Sequence, residues 1–390
     1  MLADAGTERP GVRLGALSAP EILALAPADG GLVAPVFTSQ GCAIFIVPHG
    51  TRSISARHVL MLDDFTTTDL SALVTGISAG TAEAIHSACE VLWERLVGRI
   101  AERLLKLTVR RIMLLPQGGL GLLPVHAACR AVDGECRHLA DDIEVAYAPS
   151  AYALDTARKK DPRDRKRTAV VVGVTRSAHF GDLPSVEYEV RRVARVLGTN
   201  PLLDAQATVG KILVLAKDAE YLHLACHGNF GWGADSLESA LYLADDQALS
   251  LADVISRLDL TATRLVALSA CESGVTDTRE APDEFFGLTA GFMQAGATGV
   301  LSSLWKVDDL STGLLVADFY RRHLNDALRP AAALAAAQHW LRGLTREDIS
   351  RHLKEAGRTE ERRELLLVRR RDEKPFAHSY YWAPFTFSGA

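Results

Sequence analysis

Apolar runs alternate with amphipathic stretches in the second part of the chain. Nearly continuous apolar segments occur there four times, at residues 169–174, 221–226, 264–270 and 298–304. Between them, residues 187–197, 251–257 and 284–295 repeat apolar side chains at a spacing of three or four. Continuous apolar strands are typical of parallel sheets that are covered on both faces, and amphipathic helices provide the cover. The alternation predicts a doubly wound α/β sheet in this part of the chain.

The first part of the chain mixes strand and helix patterns. An apolar run at residues 41–47 predicts a strand, and residues 81–107 repeat apolar positions at helical spacing over several turns. Residues 158–167 hold nine charged side chains around a single proline, which predicts a linker. We therefore predict an N-terminal half, a linker and a second half at residues 1–157, 158–168 and 169–390. A solvated loop is the ordinary interpretation of the linker, and a self-cleaved or protease-sensitive loop is the alternative.

Composition narrows the possible functions. The chain has 390 residues, of which 48% are hydrophobic and 23% charged, as in ordinary globular proteins. Its formal net charge of −5 lacks the basic excess expected of a nucleic-acid-binding protein. No apolar run reaches the roughly 18 residues that a membrane-spanning helix needs, and residues 1–11 lack the pattern of a secretory leader. The sequence predicts a cytoplasmic protein that binds neither nucleic acid nor membrane.

Two of the predicted strands end in a reactive side chain and then reach a glycine. The segment YLHLACHG ends at His227 and Gly228, and the segment LVALSACESG carries Cys271. Because sites in open α/β sheets form beyond the carboxyl ends of the strands, we expect His227 and Cys271 to meet at one edge. An imidazole beside a thiol can take its proton and stabilise the thiolate. The backbone N–H groups of Gly228 and Cys271 are the predicted donors to the oxyanion of a tetrahedral intermediate.

Several segments resemble the motifs of CHAT-domain proteins, which are relatives of caspases and separase. SACESG resembles the nucleophile motif of that family, and HLACHG resembles its His-Gly strand. Further similarities occur at residues 183–187, 303–309 and 378–385. Ser273 stands where the family usually has threonine, and Ser379 replaces the proline of its C-terminal signature.

The resemblance implies a caspase-like α/β fold, with a doubly wound sheet. In this fold a degenerate, pseudo-caspase N-terminal half packs on a catalytic half. The resemblance also implies a cysteine endopeptidase with a dyad of Cys271 and His227, whose chemistry needs no metal or organic cofactor. The expected partners are a protein substrate and a regulatory protein or ligand that gates the activity. Bacterial members of the family often act in defence, so a defence role is a further expectation.

Acidic residues near the strand ends are candidates for substrate recognition. Asp308 and Asp309 follow a predicted strand, and by similarity to separase they would bind a basic P1 side chain, which precedes the cleaved bond. Asp235 and Glu238 are alternatives in a glycine-rich loop, and Trp305 is a candidate wall of the pocket. Each residue also has a plainer interpretation, because aspartate is an ordinary helix N-cap and tryptophan is common in protein cores.

His223 and Cys226 lie close to the proposed dyad in the sequence. On a strand, His223 shares a face with His227 while Cys226 faces the opposite side, so we interpret His223 as structural and Cys226 as part of the core. A zinc site made of these three residues and Cys271 would need all four side chains to converge, which the alternation opposes.

Two other functions remain open from the sequence. A non-catalytic CHAT scaffold would keep the fold for assembly, although a scaffold has no need of both Cys271 and His227. Transfer or hydrolysis on a small acyl or amide substrate would use the same dyad. Labelling of Cys271 by a thiol-reactive probe, if it depends on His227, separates an enzyme from a scaffold. Cleavage of a peptide library separates a peptidase from an acyl-transfer enzyme.

Overall fold

The computed structural model describes most of the chain. The described residues are 17–160, 168–229, 237–270, 287–305, 308–355, 357–358 and 370–390. Within these ranges the strands are β1 (Gly31–Thr38), β2 (Gly41–Pro48), β3 (Val59–Leu62), β4 (Arg111–Leu114), β5 (Cys129–Val132), β6 (Glu135–His138), β7 (Glu144–Tyr147), β8 (Ala169–Gly173), β9 (Leu202–Leu203), β10 (Tyr221–Ala225), β11 (His227–Asn229), β12 (Ala240–Tyr242), β13 (Ala248–Ser250), β14 (Leu265–Ser269), β15 (Gly299–Ser303) and β16 (Phe385–Gly389).

The helices in the same ranges lie before, between and after these strands. They are α1 (Ala19–Leu23), α2 (Thr67–Ile77), α3 (Ala82–Leu92), α4 (Gly98–Lys106), α5 (Ala151–Arg158), α6 (Pro184–Leu197), α7 (Val209–Leu215), α8 (Leu251–Arg257), α9 (Leu288–Gln294), α10 (Asp309–Leu324), α11 (Pro330–Gly343), α12 (Arg346–Glu355) and α13 (Ser379–Trp382). No helix of the described residues is long and apolar enough to cross a membrane.

Eleven strands of the described residues form one mixed sheet. Its order is β3-β2-β1-β4-β7-β16-β15-β14-β10-β8-β9. Strands β8, β10, β14 and β15 are parallel neighbours, as the apolar runs in the second part of the chain predict. At the other end of the sheet, β1 and β2 form an antiparallel hairpin, while β1, β4 and β7 are parallel.

Helices cover both faces of the sheet around β10. Tyr221 and Ala225 pack with residues of α6, α10 and α11, whereas Leu222 and Leu224 pack with residues of α7, α8 and α9. Side chains along a strand alternate between the two faces, so a strand with apolar cover on both sides is apolar at almost every position. The predicted doubly wound α/β arrangement is therefore confirmed.

The long helix predicted at residues 81–107 is present as α3 and α4. A π-helical turn at Trp93–Val97 joins them. Gly98 begins α4, and a Cβ atom at this position would lie 2.8 Å from the carbonyl oxygen of Trp93. The wider turn thus needs a residue without a side chain here, which the apolar periodicity does not reveal.

Strand β16 lies at the centre of the sheet, between β7 and β15. It is antiparallel to β15 and parallel to β7. Gln338 of α11 holds the segment before it, because its Nε2 donates to the carbonyl oxygens of Trp382 at 3.0 Å and Phe385 at 2.9 Å. The helix α5 ends at Arg158, and residues 161–167 of the charged linker lie outside the described residues. The division into two halves at 158–168 stays a prediction.

Candidate active site

The carboxyl ends of β10 and β14 lie side by side. The two strands pair in parallel from Tyr221 with Leu265 to Ala225 with Ser269, and the N–H of Cys226 continues the ladder by donating to the Ser269 carbonyl at 3.3 Å. In the sequence, His227 comes two residues after Ala225, and Cys271 comes two residues after Ser269. The predicted dyad residues thus follow paired positions of neighbouring strands. Cys271 itself lies outside the described residues.

The ring of His227 is held by the loop that follows β8. Its Nε2 lies 2.9 Å from the carbonyl oxygen of Gly181. A carbonyl oxygen only accepts hydrogen bonds, so Nε2 carries the proton. In the neutral ring this leaves Nδ1 as the basic nitrogen, and no group in the described residues forms a hydrogen bond with it. Among the described residues, Nδ1 is therefore the ring nitrogen left to accept a hydrogen bond.

Two aromatic rings limit the movement of the imidazole. The ring of Phe180 lies 5.3 Å from that of His227 and 4.4 Å from that of Tyr242, measured between centroids. Tyr242 is also the β12 partner of His227 in the small antiparallel sheet of β11, β12 and β13. Since Phe180 remains 44% exposed, its main contact is with these two rings rather than with the core.

The loop that carries Phe180 and Gly181 is held by two aspartates that bind the residues before Phe180. Near its start, a carboxylate oxygen of Asp204 accepts hydrogen bonds from the N–H and the hydroxyl of Thr175, at 2.7 and 2.9 Å. Further along, Asp246 accepts from the N–H of Ala178 at 3.0 Å. Hydrogen bonds from the hydroxyl of Ser177 and from this N–H lower the pKa of Asp246, so the carboxylate stays charged at neutral pH. The loop position is therefore fixed by charge-assisted hydrogen bonds.

A buried polar cluster lies below the strand ends. His223 of β10 and Glu189 of α6 are 0% and 1% exposed, and the His223 Nε2 lies 3.0 Å from a carboxylate oxygen of Glu189. The hydroxyl of Ser269 on β14 donates to the other carboxylate oxygen at 3.0 Å. The ring of Tyr320 from α10 meets the His223 ring edge to face, with centroids 5.7 Å apart. The carboxylate thus connects α6 to both strands that lead to the predicted dyad.

Sequence reasoning missed Glu189, although a signal was present. Val186, Val190 and Val193 form the buried stripe of α6, and Glu189 lies within it at helical spacing. A carboxylate on an apolar stripe needs a buried partner. The structural role predicted for His223 is confirmed by this pairing. The core position of Cys226 is confirmed as well, because it packs with Leu222 and Leu224 on the opposite face of the sheet.

The other predicted site residues are placed as follows. Gly228 is half-buried in β11 and pairs with Leu241. Asp308 is the N-cap of α10, with a carboxylate oxygen accepting from the Ser311 N–H at 2.8 Å. Trp305 is buried, and its ring N–H donates to the carbonyl oxygen of Tyr380 at 3.1 Å.

Asp309 and Asp235 complete the predicted set. A carboxylate oxygen of Asp309 accepts from the N–H of Ser185 in the first turn of α6 at 2.6 Å. Burial raises the pKa of Asp309, against the effect of this hydrogen bond. Asp235 lies outside the described residues. The roles of Gly228, of both strand-end aspartates and of Trp305 in binding substrate stay predictions.

Comparison with known proteins identifies the family. The sequence model of the CHAT domain matches residues 86–390. The chain belongs to the CHAT domain family. Human tetratricopeptide repeat protein 28 is 25% identical over 276 residues, covering 58% of this chain and 11% of that protein. The mouse protein of the same name is 28% identical over 192 residues, covering 40% of this chain and 8% of that protein. The CHAT chain thus spans about a tenth of the length of these relatives.

Solved structures show the fold of this CHAT chain. It is similar to a Saccharomyces cerevisiae separase–securin complex, with a TM-score of 0.58 and 8% identity over 95% of this chain and 30% of that one. Gingipain R, an Arg-specific cysteine proteinase, gives a TM-score of 0.46 and 11% identity over 79% of this chain and 67% of that one. The CHAT match and the similarity to the separase structure confirm the caspase-like α/β fold expected from the motifs, which is the fold of a protease-type module.

Proposed function

We propose that the chain is a cysteine endopeptidase with Cys271 as nucleophile and His227 as its base. One observation carries the proposal: His227 follows β10, and in the sequence Cys271 follows β14, each by two residues after the register pair Ala225 and Ser269. Residues at equal distances beyond neighbouring parallel strands share an edge of the sheet, where sites of this fold class form. The CHAT family and the caspase-like fold support the same chemistry.

The position of the His227 ring supports proton transfer through Nδ1. With Nε2 donating to the Gly181 carbonyl, Nδ1 takes the proton from the Cys271 thiol, and the thiolate attacks the peptide carbonyl carbon. The N–H groups of Gly228 and Cys271 are proposed to stabilise the oxyanion. The intermediate then expels the amine, which receives the proton from Nδ1. Water, deprotonated by the same nitrogen, hydrolyses the thioester and restores the thiol.

We further propose that the substrate is a protein and that a regulatory protein or ligand gates its cleavage. The similar separase structure is a complex with securin, so a protein partner bound to this fold has a precedent in the related structure. A cytoplasmic location is proposed from the sequence pattern, and a role in bacterial defence from the family resemblance. For substrate selection, Asp308, Asp309 or Asp235 would bind a basic P1 side chain, with Trp305 as a wall of the pocket.

The test uses a small electrophilic thiol probe, because a gated peptidase can still expose its nucleophile. The full chain is labelled at neutral pH, with and without the proteins encoded beside it, and the modified cysteine is found by peptide mapping. We expect Cys271 to react about 10²-fold faster in wild type than in His227→Ala. Cys42→Ser removes a buried thiol far from these strand ends in the sequence, and it should leave the labelling of Cys271 unchanged.

The outcomes separate the possible functions. Equal labelling of Cys271 in wild type and His227→Ala would contradict the dyad and favour a scaffold. If the dyad is active, a peptide library and the neighbouring proteins are incubated with wild type and with Cys271→Ala. Cleavage that is lost in Cys271→Ala supports the peptidase. Hydrolysis of a small acyl ester without cleavage of any peptide would favour an acyl-transfer enzyme.

A further inference from the structure

Three metal-binding side chains meet in the first part of the chain, apart from the proposed dyad. They are His86 on α3, Cys129 on β5 and Cys136 on β6. One ligand atom from each, the two sulfurs and a ring nitrogen, lies within 4.8 Å of both of the others. Nothing in the proposed peptidase chemistry uses these residues, so their convergence needs a separate explanation.

The hairpin of β5 and β6 brings the two cysteines together. Asp133 and Gly134 both have positive φ, at 52° and 84°, which fits the tight two-residue turn favoured by an Asp-Gly pair. Ala131 pairs with Cys136 across the hairpin, so Cys129 and Cys136 are diagonal neighbours on the ladder. Cys129 is buried and Cys136 is partly exposed. A metal ion could therefore reach the cluster from solvent.

A third thiol lies one helical turn from the histidine. Cys89 follows His86 at a spacing of three residues on α3, a spacing that places two side chains on one face of a helix. Cys89 and Cys129 belong to one buried cluster, and Cys136 packs against it. The Cys89 thiol lies outside the group of ligand atoms within 4.8 Å of one another, so its side chain would turn towards them on binding a metal.

We propose that His86, Cys129 and Cys136 bind a structural Zn²⁺ ion, with Cys89 as the fourth ligand. Thiolates and imidazole are the ligands of structural zinc sites, including those with three cysteines and one histidine. Zn–S bonds of about 2.3 Å and Zn–N bonds of about 2.0 Å place tetrahedral ligand atoms roughly 3.5–3.8 Å apart. The present separations, all within 4.8 Å among the first three ligands, need only small side-chain movements.

The position of the cluster indicates what the ion would do. By binding ligands from both, the ion would link the β5–β6 hairpin to α3. Zinc there would stabilise one end of the fold without taking part in peptide cleavage. Each bound thiol would lose its proton to solvent, because the thiolate is the form that binds a metal.

The first test measures zinc in the purified full chain. Protein made in zinc-supplemented medium is passed over a desalting column, and its metal content is measured by mass spectrometry. We expect one zinc per chain in wild type and almost none in Cys129→Ser/Cys136→Ser. Cys42→Ser and Cys271→Ser should each keep one zinc. Loss of zinc in Cys271→Ser, with retention in the double variant, would place the metal at the strand ends and overturn the proposal.

The main measurement of the second test needs only the wild-type chain. Wild-type chain is stripped by a chelator, checked by circular dichroism and titrated with Co²⁺. Thiolate-to-cobalt charge-transfer absorption and the visible bands of tetrahedral cobalt should appear and saturate at one equivalent. Absence of these bands, or a Cys129–Cys136 disulfide in protein purified under reducing conditions, would overturn the site. Cys89→Ser should weaken zinc binding by about tenfold or more, and unchanged affinity would remove Cys89 from the ligand set.

Discussion

The Nε2 atom of His223 lies 3.0 Å from a carboxylate oxygen of Glu189, and both side chains are almost completely buried. Such a pair is costly to break, because removing one partner leaves a buried polar group without compensation. Here the carboxylate also accepts from Ser269, two residues before the proposed nucleophile in the sequence. The pair therefore holds β10 and β14 against α6 directly below the candidate site.

We predict that Glu189→Leu lowers the free energy of unfolding by about 3–5 kcal/mol, because the buried His223 ring and Ser269 hydroxyl lose the carboxylate as a partner. Urea denaturation monitored by circular dichroism measures the loss. Glu187→Leu is the matched control on the same helix, where Glu187 forms an exposed pair with Arg191. It should change stability by less than about 1 kcal/mol.

The double variant Glu189→Leu/His223→Leu sharpens this test. Replacing both polar partners by apolar side chains removes the stranded groups, so much of the lost stability should return. If the loss of unfolding free energy in the double variant equals the sum of the losses in Glu189→Leu and His223→Leu, the two residues do not act as a pair.

The contact between Phe180 and His227 predicts an effect on reactivity with little effect on stability. Phe180→Ala should slow labelling of Cys271 by about tenfold, because an aromatic contact worth about 0.5–1.5 kcal/mol no longer orients the imidazole. The free energy of unfolding should change by less than about 1 kcal/mol, since Phe180 is an exposed side chain outside the buried core. Phe180→Tyr keeps a ring and should label at the wild-type rate. Equal slowing in both variants would argue against ring positioning.

Asp308 allows helix capping and substrate binding to be separated. Asp308→Ser keeps an N-cap oxygen for the Ser311 N–H but removes the negative charge, whereas Asp308→Ala removes both. We expect Asp308→Ala to lose about 1 kcal/mol of stability and Asp308→Ser to lose little. If Asp308 binds a basic P1 side chain, both variants should lose preference for lysine and arginine in a peptide-library assay. Unchanged preference in Asp308→Ser would limit this aspartate to capping.

Burial of His126 predicts loss of stability in acid. Burial lowers the pKa of His126 from 6.5 to about 3, and Tyr147 Oη lies 2.8 Å from its Nδ1. Between these two values the unfolded chain binds a proton that the native chain does not, so the free energy of unfolding falls as pH falls. Above pH 6.5 neither the native nor the unfolded chain binds this proton, so the loss of stability is absent there.

Urea denaturation of wild type and His126→Gln at several pH values measures this contribution. Between pH 6 and pH 4, the variant should show a slope of stability against pH that is smaller by at most about 1.4 kcal/mol per pH unit. His339→Gln, which replaces an exposed histidine, should keep the wild-type slope. Equal slopes in wild type and His126→Gln would show that this ring is not protonated on unfolding.

The strands β8, β10, β14 and β15 could be predicted from the sequence because each is a continuous apolar run that needs cover on both faces. The edge of the sheet that carries His227 followed from the same pattern, since parallel strands end together. The position of β16 could not be predicted in this way. Strand β16 pairs with strands that are distant in the sequence, and its own residues do not indicate which strands these are.

The surroundings of His227 also include features that the sequence predicts and features that only the fold reveals. The histidine was found from its place after a strand, but its contacts with Gly181 and Phe180 depend on a loop 46 residues earlier. Glu189 and His223 are likewise separated by a helix, a loop and a strand, so only their common burial reveals the pair. Local patterns predicted the elements and the reactive residues, whereas the contacts that orient them arise from the tertiary fold.

The central position of β16 sets the order in which the architecture can be completed during synthesis. Its neighbour β7 ends at Tyr147 and β15 at Ser303, yet the strand between them begins only at Phe385. During synthesis, β7 and β15 therefore each keep one edge open until β16 has been translated. The eleven-stranded sheet of the described residues is therefore complete only once residues 385–389 have been synthesised.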